Sequence, residues 1–411
     1  MKKIALIRFG LVLSFCIFCF ACASERAELK KNDVSSITFT FSGDIMAHDI
    51  NFNMKDYSLI YKDVKEILDN DDLSFGNMEM PVCDDLPLSS FPSFNVHADY
   101  LKAAIEGGFD VFAFANNHTN DKGIKGIDGT VKSFANLKSE YGTKNRKIFC
   151  SGLKEKSGEE FKANLIEKKD WKILFLSVTE ILNSHDTSKN RLYYSAPTVE
   201  GRKKLLETIK KMRAETPCDV FILALHLFEA EYGLKVSNEK KEWFRKLAEA
   251  GIDIVWAHHP HVVQEWEITE IEREEKNGFL EGRNNGAGSI DKTNVKKRRC
   301  VFMYSMGNFI SGQRWGKYIK YENPGQYFQY TGDSVLMQVR LTKIGGILSD
   351  EIILTPILIT AYSGNDAPVV KRFTKEWIDT LPEKEKKYFL KRFELMEKYL
   401  PINPVKTPPS L

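Results

Sequence analysis

The sequence predicts an α/β protein built as two facing mixed β-sheets flanked by helices, an αββα sandwich, with a C-terminal helical tail. Three observations predict the layers. Short β-rich apolar runs alternate with amphipathic helical patterns along most of the chain. These units fall into two batches, which suits two sheets better than one. Asp44, Glu79, Asn117, His226 and His259 each sit at or just past the C-terminal end of an apolar run. In open α/β sheets that edge is where ligand sites are built.

The elements follow in order. Ile37–Ser42 reads as a strand ending at Gly43-Asp44, Tyr57–Leu68 as a helix, and Leu73–Glu79 as a second strand. Asp99–Gly107 is helical and stops at a Gly pair, as helices commonly do. Phe109–Ala115 is a dense strand, Ile127–Tyr141 a helix, and Asn164–Glu167 with Trp171–Thr179 a hairpin around Lys168-Lys169-Asp170. The second batch has helices at Val199–Ala214 and Asn238–Ala250. Its strands are Asp219–Leu225, Ile252–Ala257, Val262–Thr269, Val301–Tyr304, Val335–Leu341 and Glu351–Ile359. Residues Ile271–Arg299, rich in charge, Gly and Asn, read as a solvated loop. Phe373–Tyr399 reads as a charged helical tail broken at Leu381-Pro382. The expected organisation is a leader (1–23), a linker (24–35), a body (36–362, with the insert 271–299) and a tail (363–411).

Composition narrows the function. Of 411 residues, 43% are apolar, enough for a large core, so disorder is excluded as the main state. The 59 basic and 56 acidic residues nearly balance, and Lys2, Lys3 and Arg8 lie in the leader. Nucleic-acid binding driven by bulk charge is therefore not expected.

Residues 1–23 read as an export signal. The uncharged run Phe9–Ala23 is shorter than the roughly 20 residues a spanning helix needs. Three exits fit: cleavage before Cys22 with lipidation of that residue, ordinary secretion after the small-x-small triplet Ala21-Cys22-Ala23, or an uncleaved anchor. The first gives a membrane-anchored lipoprotein, and all three place the body outside the cytoplasm. Cys83, Cys150, Cys218 and Cys300 are widely spaced without CxxC. They fit two disulfides or buried free thiols equally.

The strand ends carry the chemistry: Gly43-Asp44-Ile45-Met46, Asn77-Met78-Glu79, Asn116-Asn117-His118-Thr119-Asn120-Asp121-Lys122-Gly123, His226 with Glu231-Tyr232, His258-His259-Pro260-His261-Val262, and Gly307-Asn308-Phe309. An Asp, a Glu, an Asn carbonyl and several His form a mixed oxygen and nitrogen donor set. Such a set suits Mn²⁺, Zn²⁺ or Fe better than an all-oxygen Ca²⁺ site.

This series, from about Ile37 to Tyr362, resembles the CapA family of capsule or poly-γ-glutamate synthesis proteins, which share the fold of calcineurin-like metallophosphoesterases. The resemblance implies that Asp44 and His261 hold one metal, that Glu79 bridges, and that Asn117, His226 and His259 hold a second. It implies His118 as the general acid or the clamp on the leaving oxygen, with Asn77, Glu231 and Asn308 lining the substrate. The implied partners are an anionic polymer or a phosphorylated substrate, other capsule-synthesis proteins, and a membrane reached through lipid on Cys22.

The chain departs from the phosphoesterase pattern at Met46, where a metal-binding His is usual, so one ion or two are both open. His48 is a substitute ligand if the chain enters a helix there, and Met46→His is expected to strengthen the first metal position if the phosphoesterase geometry is preserved. The element beginning at His226 is one residue longer than the family's. Read from the residues alone, Asn116, Asn117 and Asp121 can instead cap the turn and helix, and His118 can be structural. His258, next to His259 and facing the other way, is expected to be structural, and His97 and His185 bystanders. The aromatic and basic stretch Trp315–Tyr330 either fills the seam against the tail or grips an anionic polymer.

Overall fold

β1 (Val34–Ile45) sets the frame, alternating Ile37, Phe39 and Phe41 into the interior and running fully buried to its end. The computed structural model describes residues 33–144, 146–275, 294–363 and 367–400. The leader, Cys22, the linker as far as residue 32, residues 276–293 of the insert and residues 401–411 lie outside the described residues.

After β1 come α1 (Asp49–Phe52), a 3₁₀ turn at Tyr57–Ile60, α2 (Lys65–Asp69), β2 (Leu73–Met78), α3 (Ala98–Glu106), β3 (Val111–Ala113), α4 (Gly123–Thr143) and β4 (Phe149–Ser151). The helix expected over Tyr57–Leu68 is therefore two short pieces. Ile60, Tyr61, Val64 and Leu68 are all buried, a pattern that two turns satisfy as well as one helix. The hairpin β5 (Asn164–Lys168) and β6 (Trp171–Thr179) follows, turning at Lys169 with φ 55°. Then come α5 (Val199–Glu215), β7 (Val220–His226), α6 (Asn238–Glu249), β8 (Ile254–His258), β9 (Trp266–Glu275), β10 (Asn294–Met303), β11 (Asn308–Ile310), β12 (Asp333–Ile344), β13 (Ile347–Tyr362), β14 (Val369–Arg372), α7 (Lys375–Asp379) and α8 (Glu383–Tyr399).

Two sheets result. The larger runs β14-β13-β12-β1-β2-β3-β4, with β11 pairing β1; the smaller runs β5-β6-β7-β8-β10-β9. The apolar faces of both meet in one core containing Phe39, Phe41, Phe75, Phe175, Ile222 and Trp256. A second cluster packs α3 and α4 on the outside of the larger sheet, through Tyr100, Leu101, Phe134 and Leu137. A third packs α5 and α6 on the smaller, through Leu205, Ile209, Trp243, Phe244 and Leu247. The layering is that of the expected αββα sandwich. In each sheet four consecutive strands are parallel, β1-β2-β3-β4 and β6-β7-β8-β10.

Three segments correct the sequence reading. Residues 271–275 and 294–299, expected in a solvated loop, extend β9 and β10 into an antiparallel pair registering Asn294 with Glu275. The linker expected to reach residue 35 gives way to β1 at Val34. The tail opens with a strand, β14, paired to β13, before its helices. Apart from Arg392, its described charged residues lie at exposed or half-buried positions. Tyr388, Phe389, Phe393 and Met396 are buried, and the fully buried Arg392 donates from Nε to Asp333 Oδ2 at 2.8 Å, while Arg314 Nη1 reaches Asp333 Oδ1 at 2.7 Å. In the aromatic stretch Tyr330 lies under Arg392 (3.9 Å) and Tyr321 against Tyr388 (5.3 Å), filling that seam. Tyr327 and Phe328 instead lie against Tyr232, 6.0 and 5.6 Å away.

The four body cysteines are free thiols, and burial pushes Cys150 and Cys300 up to about 12. No helix among the described residues is long and apolar enough to cross a membrane.

Candidate metal centre

The Gly43-Asp44 step is a close backbone approach. A Cβ on Gly43 would lie 1.9 Å from the Gly307 carbonyl oxygen, so only Gly fits. Asp44 N donates to that same carbonyl at 2.9 Å, and a register shift between Phe41 and Asp44 re-aims the strand end. Asp44 is thereby fully buried, with Oδ1 accepting from His258 Nδ1 (2.9 Å) and Asn77 Nδ2 (2.8 Å), and Oδ2 facing His261 Nδ1 (3.2 Å). Burial alone would raise its carboxyl, but hydrogen bonds from His258 and His261 and their charge hold it well below the usual range.

Glu79 follows β2 directly. Oε2 accepts from Asn77 Nδ2 (3.2 Å), while Oε1 is buried without a hydrogen bond, 3.6 Å from His226 Nε2 and 3.8 Å from His261 Nε2. Burial and the neighbouring Asp44 charge push its carboxyl well above the ordinary value. Asn77, expected to touch substrate, is fully buried with its amide divided between the two carboxylates and its carbonyl accepting from Asn116. It positions acids; no free polar atom remains for a substrate.

Past β3, Asn116 is spent on the turn, donating to Asn77 Oδ1 and Met78 O and accepting from His118 N. Asn117 donates from Nδ2 to Asn183 Oδ1 (3.2 Å) and leaves Oδ1 buried and unpartnered. His118 Nδ1 meets Asp121 Oδ2 at 2.7 Å with both side chains nearly inaccessible, and Asp121 also accepts from Phe94 N. Asp121 and, at 3.0 Å, Asn183 Nδ2 both engage Nδ1, which leaves Nε2 for chemistry. Asp121 is thus more than a turn cap.

In the smaller sheet, His226 ends β7 in register with His258, which ends β8. Beyond β8 the chain leaves strand alternation, with φ 106° at His259 and 58° at His261. His258, His259 and His261 therefore all reach the site, and the expectation that His258 faces away fails, because alternation stops before His259. His226 Nε2 lies 3.2 Å from His259 Nδ1. Burial pushes both rings down, His259 to about 3, so both are neutral at pH 7. His226 and His259 are 1% and 3% exposed. Asn308 pairs with Asp44 across the parallel β1/β11 contact. Its Oδ1 meets His261 Nδ1 at 3.0 Å and its amide reaches Ser311, Gln313 and Thr331. It orients His261, with no polar atom spare for a substrate.

Among the described residues two groups could hold an ion: Asp44, Glu79 and His261, and Glu231, His259 and His261, with donor atoms within 4.8 Å of one another. Glu231, expected to line the substrate, is exposed and sits at ligand distance. The donor set fits a divalent cation. His226 Nε2 and His259 Nδ1, 3.2 Å apart, hydrogen-bond to each other, and both are nitrogens of the type that would hold such an ion. Glu79 Oε1, Asn117 Oδ1, His226 Nδ1 and His258 Nε2 are buried without partners, a deficit that folded proteins avoid unless something else fills it. Met46 is 2% exposed and packs within the helix-side cluster. His48 gives its Nδ1 to the Gly312 N–H, so the substitute-ligand expectation is not met.

Strand-end acids and histidines gathered between two sheets define a layered α/β protein with a candidate metal centre. Residues 38–313 match the family described as bacterial capsule synthesis protein PGA_cap, and the chain belongs to that family. It is 26% identical over 365 residues to the capsule biosynthesis protein CapA of Bacillus anthracis, covering 85% of this chain and 73% of that one. It is 24% identical over 365 residues to the PGA biosynthesis protein CapA of Bacillus subtilis, covering 87% and 80%. Among solved structures it is similar to a hypothetical protein from Thermus thermophilus (14% identity, TM-score 0.40, covering 78% of this chain and 98% of that one). It is also similar to the calcineurin-like phosphoesterase YfkN from Bacillus subtilis (11%, 0.38, 89% and 99%).

Proposed function

We propose that this chain is a cell-envelope capsule-synthesis protein that acts on an anionic surface polymer such as poly-γ-glutamate through a divalent-metal site with hydrolase-like chemistry. The observation that carries this reading is the convergence of Asp44, Glu79, His226, His259 and His261, with buried donor atoms left unpartnered on Glu79, His226 and Asn117, the neighbour of His118 in sequence. Membership of the PGA_cap family and the names of the two relatives support the polymer.

A bound Mn²⁺, Zn²⁺ or Fe ion would supply Lewis-acid polarisation of the attacked group. Asp44, Glu79 and His261 would hold one ion; Asn117, His226 and His259 would hold a second. Asn77 and Asn308 keep the carboxylates and His261 in place. His118, with Nδ1 tied to Asp121, presents Nε2 to donate a proton to the leaving oxygen, and the carboxylate stabilises the charged ring. Export and lipid on Cys22 would put this site at the membrane surface, where other capsule-synthesis proteins would be partners.

Metal analysis of the purified protein followed by assays on phosphoesters and γ-glutamyl polymer tests the chemistry. Metal-dependent cleavage of either is expected, and a metal-loaded protein inert on both removes the hydrolase. Labelled fatty acid should appear on wild type and vanish in Cys22→Ser; label retained by the variant rejects that anchor. A second reading, a non-catalytic assembly component with a vestigial metal site, is favoured by Met46, which leaves the first metal position one His short.

A further inference from the structure

His48 lies beside the centre without belonging to it. Its Nδ1 accepts the backbone N–H of Gly312 at 3.0 Å. An amide N–H can only donate, so Nδ1 holds a lone pair and the neutral ring carries its proton on Nε2. The contact depends on a close fit, because a Cβ on Gly312 would lie 2.6 Å from His48 Cβ and 3.0 Å from Cγ. Burial and the charges of His261 and His118 push the ring down to about 4, so it is neutral at pH 7. The ring meets Phe94 edge-on at 5.2 Å, and Phe94 meets His118 at 4.7 Å. Two imidazoles thus flank one phenyl ring beside the candidate centre. Nδ1 is the His48 ring nitrogen that takes the Gly312 N–H, which leaves Nε2 to carry the proton.

Ligation through Nε2 would need the lone pair there and the proton on Nδ1, setting two N–H groups against each other at Gly312. The tautomer that this contact selects makes His48 a donor. We propose that His48 presents its Nε2–H to an anionic oxygen of the substrate, phosphoryl or carboxylate, and is a substrate-binding residue, not a metal ligand. This rests on the substrate site proposed above.

Three measurements on the full chain test it. Imidazole nitrogen NMR should show the Nε2–H tautomer for His48; an Nδ1–H signal would overturn the proposal. His48→Asn can keep an acceptor for Gly312 while removing the Nε2 donor. It should hold Mn²⁺ within about twofold of wild type by calorimetry, whereas a loss as large as that of His226→Ala would make His48 a ligand. Binding of inorganic phosphate or of γ-glutamylglutamate to the Mn²⁺-loaded protein should weaken roughly 10- to 100-fold in His48→Asn. The probe that weakens names the oxygen, and no change with either overturns the proposal. His48→Ala repeats the comparison if the Asn variant folds poorly. If wild type takes up no Mn²⁺, the metal-dependent function fails, while the tautomer and metal-free binding of the two probes still decide His48.

Discussion

Trp256 and Ser42 join the two sheets: the indole Nε1–H donates to the Ser42 carbonyl at 2.8 Å. Two residues further along both strands, His258 Nδ1 meets Asp44 Oδ1 at 2.9 Å. The apolar core and the candidate centre therefore share one register, which the Trp256–Ser42 bond helps to hold. Trp256→Phe leaves the buried Ser42 carbonyl without this donor. Chemical denaturation should show a loss of about 1–3 kcal/mol, together with weaker Mn²⁺ binding. Unchanged metal affinity in the variant would show that the bond serves the core alone.

His118→Ala should leave bound metal in place and lower any hydrolytic rate by roughly 10²–10⁴, the usual contribution of a positioned proton donor. Asp121→Asn should move the same rate in the same direction and alter its pH profile, because the amide cannot stabilise the charged ring. Metal loss in either variant would place His118 among the ligands.

Met46→His should fail to strengthen metal binding. The side chain at this position is buried with Tyr61, Phe94 and Tyr100 in the helix-side cluster. A polar ring there lowers stability by about 1–3 kcal/mol, read as a lower melting temperature. A gain in Mn²⁺ affinity would contradict the placement.

The frame of the site was legible because strand ends announce themselves. Asp44, Glu79, Asn117 and His226 each follow an apolar run, and Gly43 marks the close approach. The roles of Asn77, Asn308 and His258 were not legible in the same way. Whether an Asn faces substrate or a neighbouring carboxylate depends on residues far away in the chain, such as Asp44 for Asn77 and His261 for Asn308. His258 was misassigned because alternation was carried past the end of β8, where positive φ at His259 suspends it. The tail was read by its charge, whereas Arg392 is charged and fully buried because Asp333, 59 residues earlier, accepts it.

Stability should fall as pH rises from about 4 to 7 through one carboxyl outside the site. Burial raises Asp71 to about 7, with Asp110 and Asp72 adding to it against the Ser74 and Thr40 hydrogen bonds. Its folded value lies above its unfolded value of about 4. The protonated group therefore contributes stability below pH 4, and this is lost as pH rises through 7. Asp71→Asn should flatten that part of the curve and stabilise the protein at pH 8 by about 1–3 kcal/mol. Denaturation midpoints at pH 5 and 8 check it, and an equal loss at both would contradict the sign.

Calorimetric titration of the metal-free protein with Mn²⁺ and Zn²⁺ at neutral pH tests the centre itself. Wild type should bind, while His226→Ala and His259→Ala should lose at least 10- to 100-fold in affinity, with far-UV circular dichroism unchanged. Removing a charge remote from the site, as in Lys398→Ala, should change nothing. A wild type that binds neither ion, or histidine variants that bind as tightly as wild type, would contradict the metal centre and leave a polymer-handling scaffold as the better account.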